Sequence, residues 1–323
     1  MNKKIILVSP ADSLALYPKE VQKMVDFIES KGWAVDIAPN ALKSLKSLKS
    51  LKSRVADEFN SMPPKERAED INWAFAQNPT AILSFIGGFN SNDILRYLNW
   101  SDFEGSAVKF IGHSDITVLC NALYAKSGIT TWTGISGINL CVKETREETW
   151  ESLQALLEGK LKLLKPKKSF QNSFDSPRQD SIGWTSVNPK DCVEGISIGG
   201  NLDTLGLLQG TEYMPKSNQP LILVLEDDDL AKEETIYQFK RSLISLLMQD
   251  GVLENLQGLV FGRFSEGAKL NVKSLKTMLS SIPELDGIPT MIGVEIDHCL
   301  PKTLLPIGSK IKLNFTKQQI EIL

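Results

Sequence analysis

The chain has 323 residues, 42% hydrophobic and 23% charged, more than one compact core ordinarily organises, so two domains are expected. A net charge of -3 supplies no field that would favour DNA, RNA or an anionic lipid surface. Nucleic-acid and membrane partners are therefore not expected.

The N-terminus reads Met1-Asn2-Lys3-Lys4 followed by the apolar run 5–8, which stops at Ser9-Pro10. Four residues are too few for the apolar region of a signal peptide, and no later stretch approaches the roughly 18 needed to span a bilayer. The run reads as the buried first strand of a cytoplasmic protein. Residues 18–31 repeat apolar side chains at helical spacing (Val21, Met24, Val25, Ile28), Gly32 closes that helix, and 33–38 alternate as a second strand. Residues 42–53 are four perfect Leu-Lys-Ser units. A period of three matches neither helix nor strand, so this stretch is expected as a solvated, partly helical surface insert without chemistry.

Residues 81–86 form an apolar strand ending in Gly87-Gly88, with a helix expected over 93–98. Residues 108–111 are another strand, ended by Gly112 and followed by a helix over 116–127. Strands alternating with helices imply a parallel sheet covered on both faces, whose functional residues collect at the strands' carboxyl ends. The fold class is thus α/β, with a flavodoxin-like or amidotransferase-like parallel-sheet domain over 1–145. A helix over 144–157 and the polar stretch behind it make 146–182 a linker or exposed loop. From 183 to 323 short strands dominate (193–198, 221–225, 259–261, 290–293, 310–313) around one strong helix at 232–248, the pattern of a smaller β-rich second domain. Cys120, Cys141, Cys192 and Cys299 form no C-x-x-C pair and no zinc-ligand spacing with the histidines. They are expected as small core hydrophobes, with no metal and no cofactor.

His113 and His298 are the chain's two histidines, which shortens the search for a base working near neutral pH. Ser114 stands on a strand-to-helix turn in Gly112-His-Ser-Asp115, where a hydroxyl is exposed and neighbouring N–H groups can face an oxyanion. An ordinary helix N-cap would use the same residue types. Adjacent strand residues face opposite sides, so His113 is poorly placed to serve Ser114, and His298 from the other domain is the better base. Its orienting acid is sought in Glu226-Asp-Asp-Asp229. Glu226 is joined directly to an apolar strand that fixes its direction, while Asp228 and Asp229 are expected to cap the following helix or to be solvated.

Five ordered motifs resemble the LD-carboxypeptidase family of serine peptidases, in particular its microcin C immunity branch: Ile86-Gly-Gly-Phe-Asn-Ser-Asn92, Gly112-His-Ser-Asp-Ile-Thr117, Gly199-Gly-Asn-Leu202, Leu225-Glu-Asp227 and Gly293–His298. The resemblance runs from about residue 5 to about residue 315. It implies Ser114 as nucleophile, Glu226 as acid and His298 as base, with the backbone N–H groups of Gly88 and Asp115 as oxyanion hole. Asn90 and Trp184 are implied as substrate-binding residues, with a hydrophobic anchor for the linker as the alternative role of Trp184. The substrate would be a murein-derived LD-peptide or a microcin-like peptidyl nucleotide, and the assembly a homodimer. Asp297 departs from the glycine usual before the histidine. A catalytically silent peptide-binding protein of the same fold is the alternative, yet no triad position is lost. A dinucleotide enzyme is disfavoured because Ser9-Pro-Ala-Asp-Ser13, not G-x-G-x-x-G, follows the first strand.

Overall fold

The computed structural model describes residues 3–47, 60–181 and 183–323. β1 (Lys4–Val8), β2 (Ala34–Ile37), β3 (Ala81–Ser84), β4 (Lys109–Gly112) and β5 (Thr131–Thr133) lie parallel in the order β2-β1-β3-β4-β5. Helices cover both faces, so β3 is buried throughout, whereas edge strand β2 is nowhere fully buried. The helix Pro18–Ser30 turns Val21, Met24, Phe27 and Ile28 inward, and Gly32 closes it at φ 79°. The helix expected over 93–98 is a 3-10 helix, Ser91–Tyr97. Its first N–H groups are held by the Asp115 carboxylate, which fastens the segment to the Ser114 turn. The Leu-Lys-Ser repeat begins inside the helix Pro39–Ser47, and 48–59 lie outside the described residues.

Beyond residue 146 the expected linker is structured. The helix Arg146–Leu157 buries Trp150, Leu153, Leu156 and Leu157 in the first domain's core, with Trp150 edge-on to Phe27 at 5.9 Å. β6 (Leu163–Leu164) belongs to the second sheet, and β7 (Ser169–Phe170) pairs with β8 (Gln179–Asp180). The second sheet continues with β9 (Thr185–Val187), β10 (Cys192–Asn201), β11 (Leu221–Glu226), β12 (Leu256–Gly262) and β13 (Thr290–Val294). After β14 (Leu305–Ile307) come β15 (Lys310–Asn314) and β16 (Gln319–Ile322). Its order is β6-β16-β15-β10-β11-β12-β13-β9, with a parallel centre from β10 to β13 and antiparallel flanks.

Strand periodicity divides β11 between two cores. Leu221, Leu223 and Leu225 face the helix Thr235–Leu247 with Phe239, Leu243 and Leu246, while Ile222 and Val224 face Val260, Met291 and Trp184. Each such side chain stabilises the fold by about 1.5–3 kcal/mol. Both faces being buried leaves the end of β11 one direction, and Glu226 inherits it.

β14 does not join this sheet. It returns to the first sheet and pairs antiparallel with β5. The chain between β13 and β14 must therefore cross from one sheet to the other. That crossing segment carries Asp297, His298 and Lys302.

Candidate active site

The last position of β4 must be glycine, since a Cβ on Gly112 would lie 2.2 Å from Ile116 Cγ2. The chain turns so sharply that Ser114 takes a left-handed φ of 61°, a strained conformation for a residue with a side chain, before the helix Thr117–Ser127 begins. This turn lifts the hydroxyl out of the sheet's end. The first domain meets the second at the start of the same helix. Thr117 Oγ1 accepts from the Asn201 N–H at 2.9 Å, and Asn121 exchanges two hydrogen bonds with the Gly199 backbone. Gly200 permits that approach, since its Cβ would stand 2.3 Å from Thr117 Oγ1.

β11 lies between β10 and β12, and Glu226 at its end is fully buried. The crossing segment is anchored beside it by Asp297, whose carboxylate accepts from the backbone N–H groups of Arg263 and Cys299. A Cβ on Gly262 would come within 2.7 Å of Asp297 Cβ and 2.9 Å of Glu226 Cβ, so only glycine lets the two acids pass. His298 then spans the domain junction. Its Nε2 is 3.2 Å from Ser114 Oγ, and its Nδ1 is 2.8 Å from Glu226 Oε2.

Burial works against protonation of His298, but the adjacent Glu226 carboxylate outweighs it and the pKa is raised above the usual 6.5. His113 behaves oppositely. It is buried, and burial, Lys302 and His298 together hold its pKa well below 6.5, so its ring is neutral. Asp227 is pushed up to about 8 by burial and by Asp203, Glu226 and Asp228. Asp115 staples the loop that follows β3 to the Ser114 turn, accepting from the N–H groups of Asn90 and Ser91 at 3.0 and 2.8 Å. The staple brings the Gly87-Gly88 backbone beside the turn, where a Cβ on Gly87 would stand 3.2 Å from both Asp115 N and Ser114 Oγ. The Asp115 N–H lies in the first turn of a short helix, where no intrahelical acceptor precedes it.

These groups open on a cavity of about 270 Å³ lined by Gly88, Ser114, His298, Phe89, Phe174 and Lys302, among others. The expected Trp184 is not among its walls. Trp184 is 2% exposed, packs in the second domain's core and donates to Glu295 Oε2 at 3.1 Å, so it anchors the preceding segment instead. Asn90 is likewise turned away, donating to Ser61 and accepting from Arg67. Asp228 and Asp229 do not cap the helix that follows. Asp228 closes its own turn by accepting from the Leu230 N–H, and Asp229 is held by the Ser265 hydroxyl. Cys120 and Cys299 are buried as expected and Cys141 partly so, but Cys192 is exposed at the start of β10. Phe89, Phe174 and Lys302 escaped the sequence reading. Phe89 alone carried a signal, as an aromatic directly after a strand-ending glycine pair.

Ligand atoms of His113, Glu226 and His298 lie within 4.8 Å of one another, close enough to hold an ion by distance. Lys302 Nζ, 3.0 Å from His113 Nε2, sets a competing ammonium beside that position.

A hydroxyl, an imidazole and a carboxylate stand hydrogen-bonded in series at the junction of an α/β domain and a sheet-rich domain, an arrangement shared by several classes of hydrolase. The LD-carboxypeptidase N-terminal domain matches residues 5–134 and the LD-carboxypeptidase C-terminal domain matches 194–313. The chain belongs to the LD-carboxypeptidase family. YocD, a carboxypeptidase-family protein of Bacillus subtilis (strain 168), is 30% identical over 318 residues, covering 96% of this chain and 93% of its own. The microcin C7 self-immunity protein MccF of Escherichia coli is 30% identical over 292 residues, covering 82% and 80%. The crystal structure of an MccF-like protein from Bacillus anthracis superimposes with a TM-score of 0.90 at 30% identity, covering 99% of this chain and 96% of that one. Among the described residues no helix is long and apolar enough to cross a membrane.

Proposed function

We propose that this protein is a serine carboxypeptidase that cleaves an amide through an acyl-enzyme, with Ser114 as nucleophile. The observation that carries the reading is the unbroken series Ser114 Oγ, His298, Glu226 at 3.2 and 2.8 Å. Ser114 donates its proton to His298 Nε2 as it attacks the carbonyl carbon, and His298 returns the proton to the departing amine. Glu226 keeps the proton of neutral His298 on Nδ1 and stabilises the imidazolium. The N–H groups of Gly88 and Asp115 receive the oxyanion. Water then repeats the sequence and releases the acid.

The substrate class follows from the family: a murein-derived LD-peptide, or a peptidyl nucleotide, since MccF has been solved in complex with aspartyl sulfamoyl adenosine. The reading places the enzyme in the cytoplasm as a homodimer. Purified protein incubated with murein tetrapeptide and, separately, with an aminoacyl-sulfamoyl adenosine should release the terminal amine component of one of them. Ser114→Ala should remove that release while leaving the melting temperature unchanged. Turnover by Ser114→Ala close to that of the parent would overturn the mechanism.

A further inference from the structure

Two buried groups beside the Ser114–His298–Glu226 series take no part in the proposed proton path. Lys302 is 1% exposed and His113 3%, yet both are polar and both reach the centre of the site. Lys302 Nζ lies 3.0 Å from His113 Nε2. On the other side of the ring, His113 Nδ1 is 4.0 Å from Glu226 Oε1, an oxygen with no hydrogen-bond partner among the described residues, and the backbone of Asp297 lies against the ring. Glu226 Oε2 meanwhile holds His298. The order in space is Lys302, His113, Glu226, His298, Ser114.

An ammonium only donates, so the His113 nitrogen facing it must accept. A neutral imidazole that accepts at Nε2 carries its one proton on Nδ1. Nδ1 is on the side of the ring nearer Glu226 Oε1, at 4.0 Å. We infer that Lys302 is a positioning residue acting through His113: it holds the ring in the Nδ1–H form, which presents a positive ring edge rather than a lone pair to Glu226 Oε1, 4.0 Å away, and so favours the ionised carboxylate that holds His298. The inference rests on the reading of Ser114, His298 and Glu226 given above.

Charges around the pair are consistent with this arrangement. Burial holds the Lys302 pKa below its ordinary value, against the carboxylates of Asp297 and Glu226, which favour the ammonium. His113 faces Lys302, His298, Glu226 and the backbone of Asp297. His298 faces Glu226, Lys302 and Asp228. The ammonium thus opposes proton uptake by both rings, which keeps His113 neutral and restrains the basicity that Glu226 confers on His298. Asp297 also favours the ionised form of Lys302 against its burial.

Two measurements test the inference separately from the catalytic reading. With two histidines in the chain, nitrogen-15 labelling of histidine yields two ring systems, told apart by a His113→Gln sample. The expected spectrum of the parent protein has His113 protonated on Nδ1 alone, unchanged across neutral pH. A proton on Nε2, or a ring that titrates near its ordinary pKa, overturns the inference whether or not Ser114 is the nucleophile. The second measurement is the pH profile of kcat/KM for Lys302→Met. Removing the cation should move the acidic limb to higher pH, by on the order of one pH unit, with a fall in kcat. A purely space-filling lysine would lower activity without moving the limb, and that outcome also overturns the inference. If Ser114→Ala retains activity while the Nδ1–H form is found, the catalytic reading fails and the Lys302–His113 arrangement stands.

Discussion

Glu226→Gln keeps the shape of the side chain and removes its charge, so it isolates what the carboxylate does for His298. In the parent, Glu226 Oε2 and His298 Nδ1 are 2.8 Å apart, Glu226 is 1% exposed and His298 31%. A charge pair about 4 Å apart in a medium of effective dielectric about 20 is worth about 4 kcal/mol, close to three powers of ten in rate. The amide adds a geometric fault. If its NH₂ faces Nδ1, the ring must carry its proton on Nε2 and can no longer accept from Ser114. A fall in kcat of about 10³–10⁴ is expected. The pH profile supplies an independent reading. His298 must be unprotonated to act as base, and burial opposes protonation less than Glu226 favours it, so its pKa is raised. The parent's acidic limb should therefore lie above the ordinary 6.5, with activity rising through it as pH increases. Without the carboxylate, burial and Lys302 are left to act, and the limb should shift to lower pH as the plateau drops. Asp228→Asn is the control: Asp228 also lines the cavity, but its carboxylate closes a turn, and less than about a tenfold change is expected. Steady-state rates of both variants between about pH 5 and pH 9 decide the matter. Equal, mild effects would leave His298 without its acid and refute the reasoning.

Trp184→Phe should lower stability by about 1–2 kcal/mol, because it leaves Glu295 Oε2 without its buried donor, and should leave KM nearly unchanged; a large rise in KM with unchanged stability would return Trp184 to the substrate. Gly262→Ala should cost about 1–3 kcal/mol in denaturant unfolding and more in turnover, since the new methyl group would push Glu226 and Asp297 apart. Full activity there would show that the crossing segment adjusts freely. Asp227→Asn should stabilise the protein, and the gain should grow with pH. The folded carboxyl titrates at about 8 and the unfolded one near 3.8, so between those values folding must take up a proton that the amide does not need. Melting temperatures measured across that range should diverge as pH rises, and a pH-independent difference would contradict the assignment.

The sequence by itself determined the elements and the residue types of the site. The runs 5–8, 81–84 and 221–225 announce buried strands by composition, and Gly87-Gly88 after the second and Glu226 after the third mark where a sheet presents its carboxyl edge. With two histidines in the chain, the base could be narrowed by strand alternation before any coordinates, and Glu226 could be preferred over its acidic neighbours because a buried strand directs it. Those are local properties, and local pattern carries them. Tertiary structure decided the rest. Nothing in residues 305–307 says that they leave the second sheet for the first, because pairing with β5 is a long-range contact, yet that crossing delivers His298 to Ser114. Nor does an apolar neighbourhood distinguish a tryptophan at a site from one in a core: Trp184 is drawn inward by Glu295, which its sequence neighbours do not reveal. Lys302 is the clearest case. A lysine after a proline reads as solvated surface, and only the packing of the crossing segment buries its ammonium, against His113 and Glu226 from distant parts of the chain.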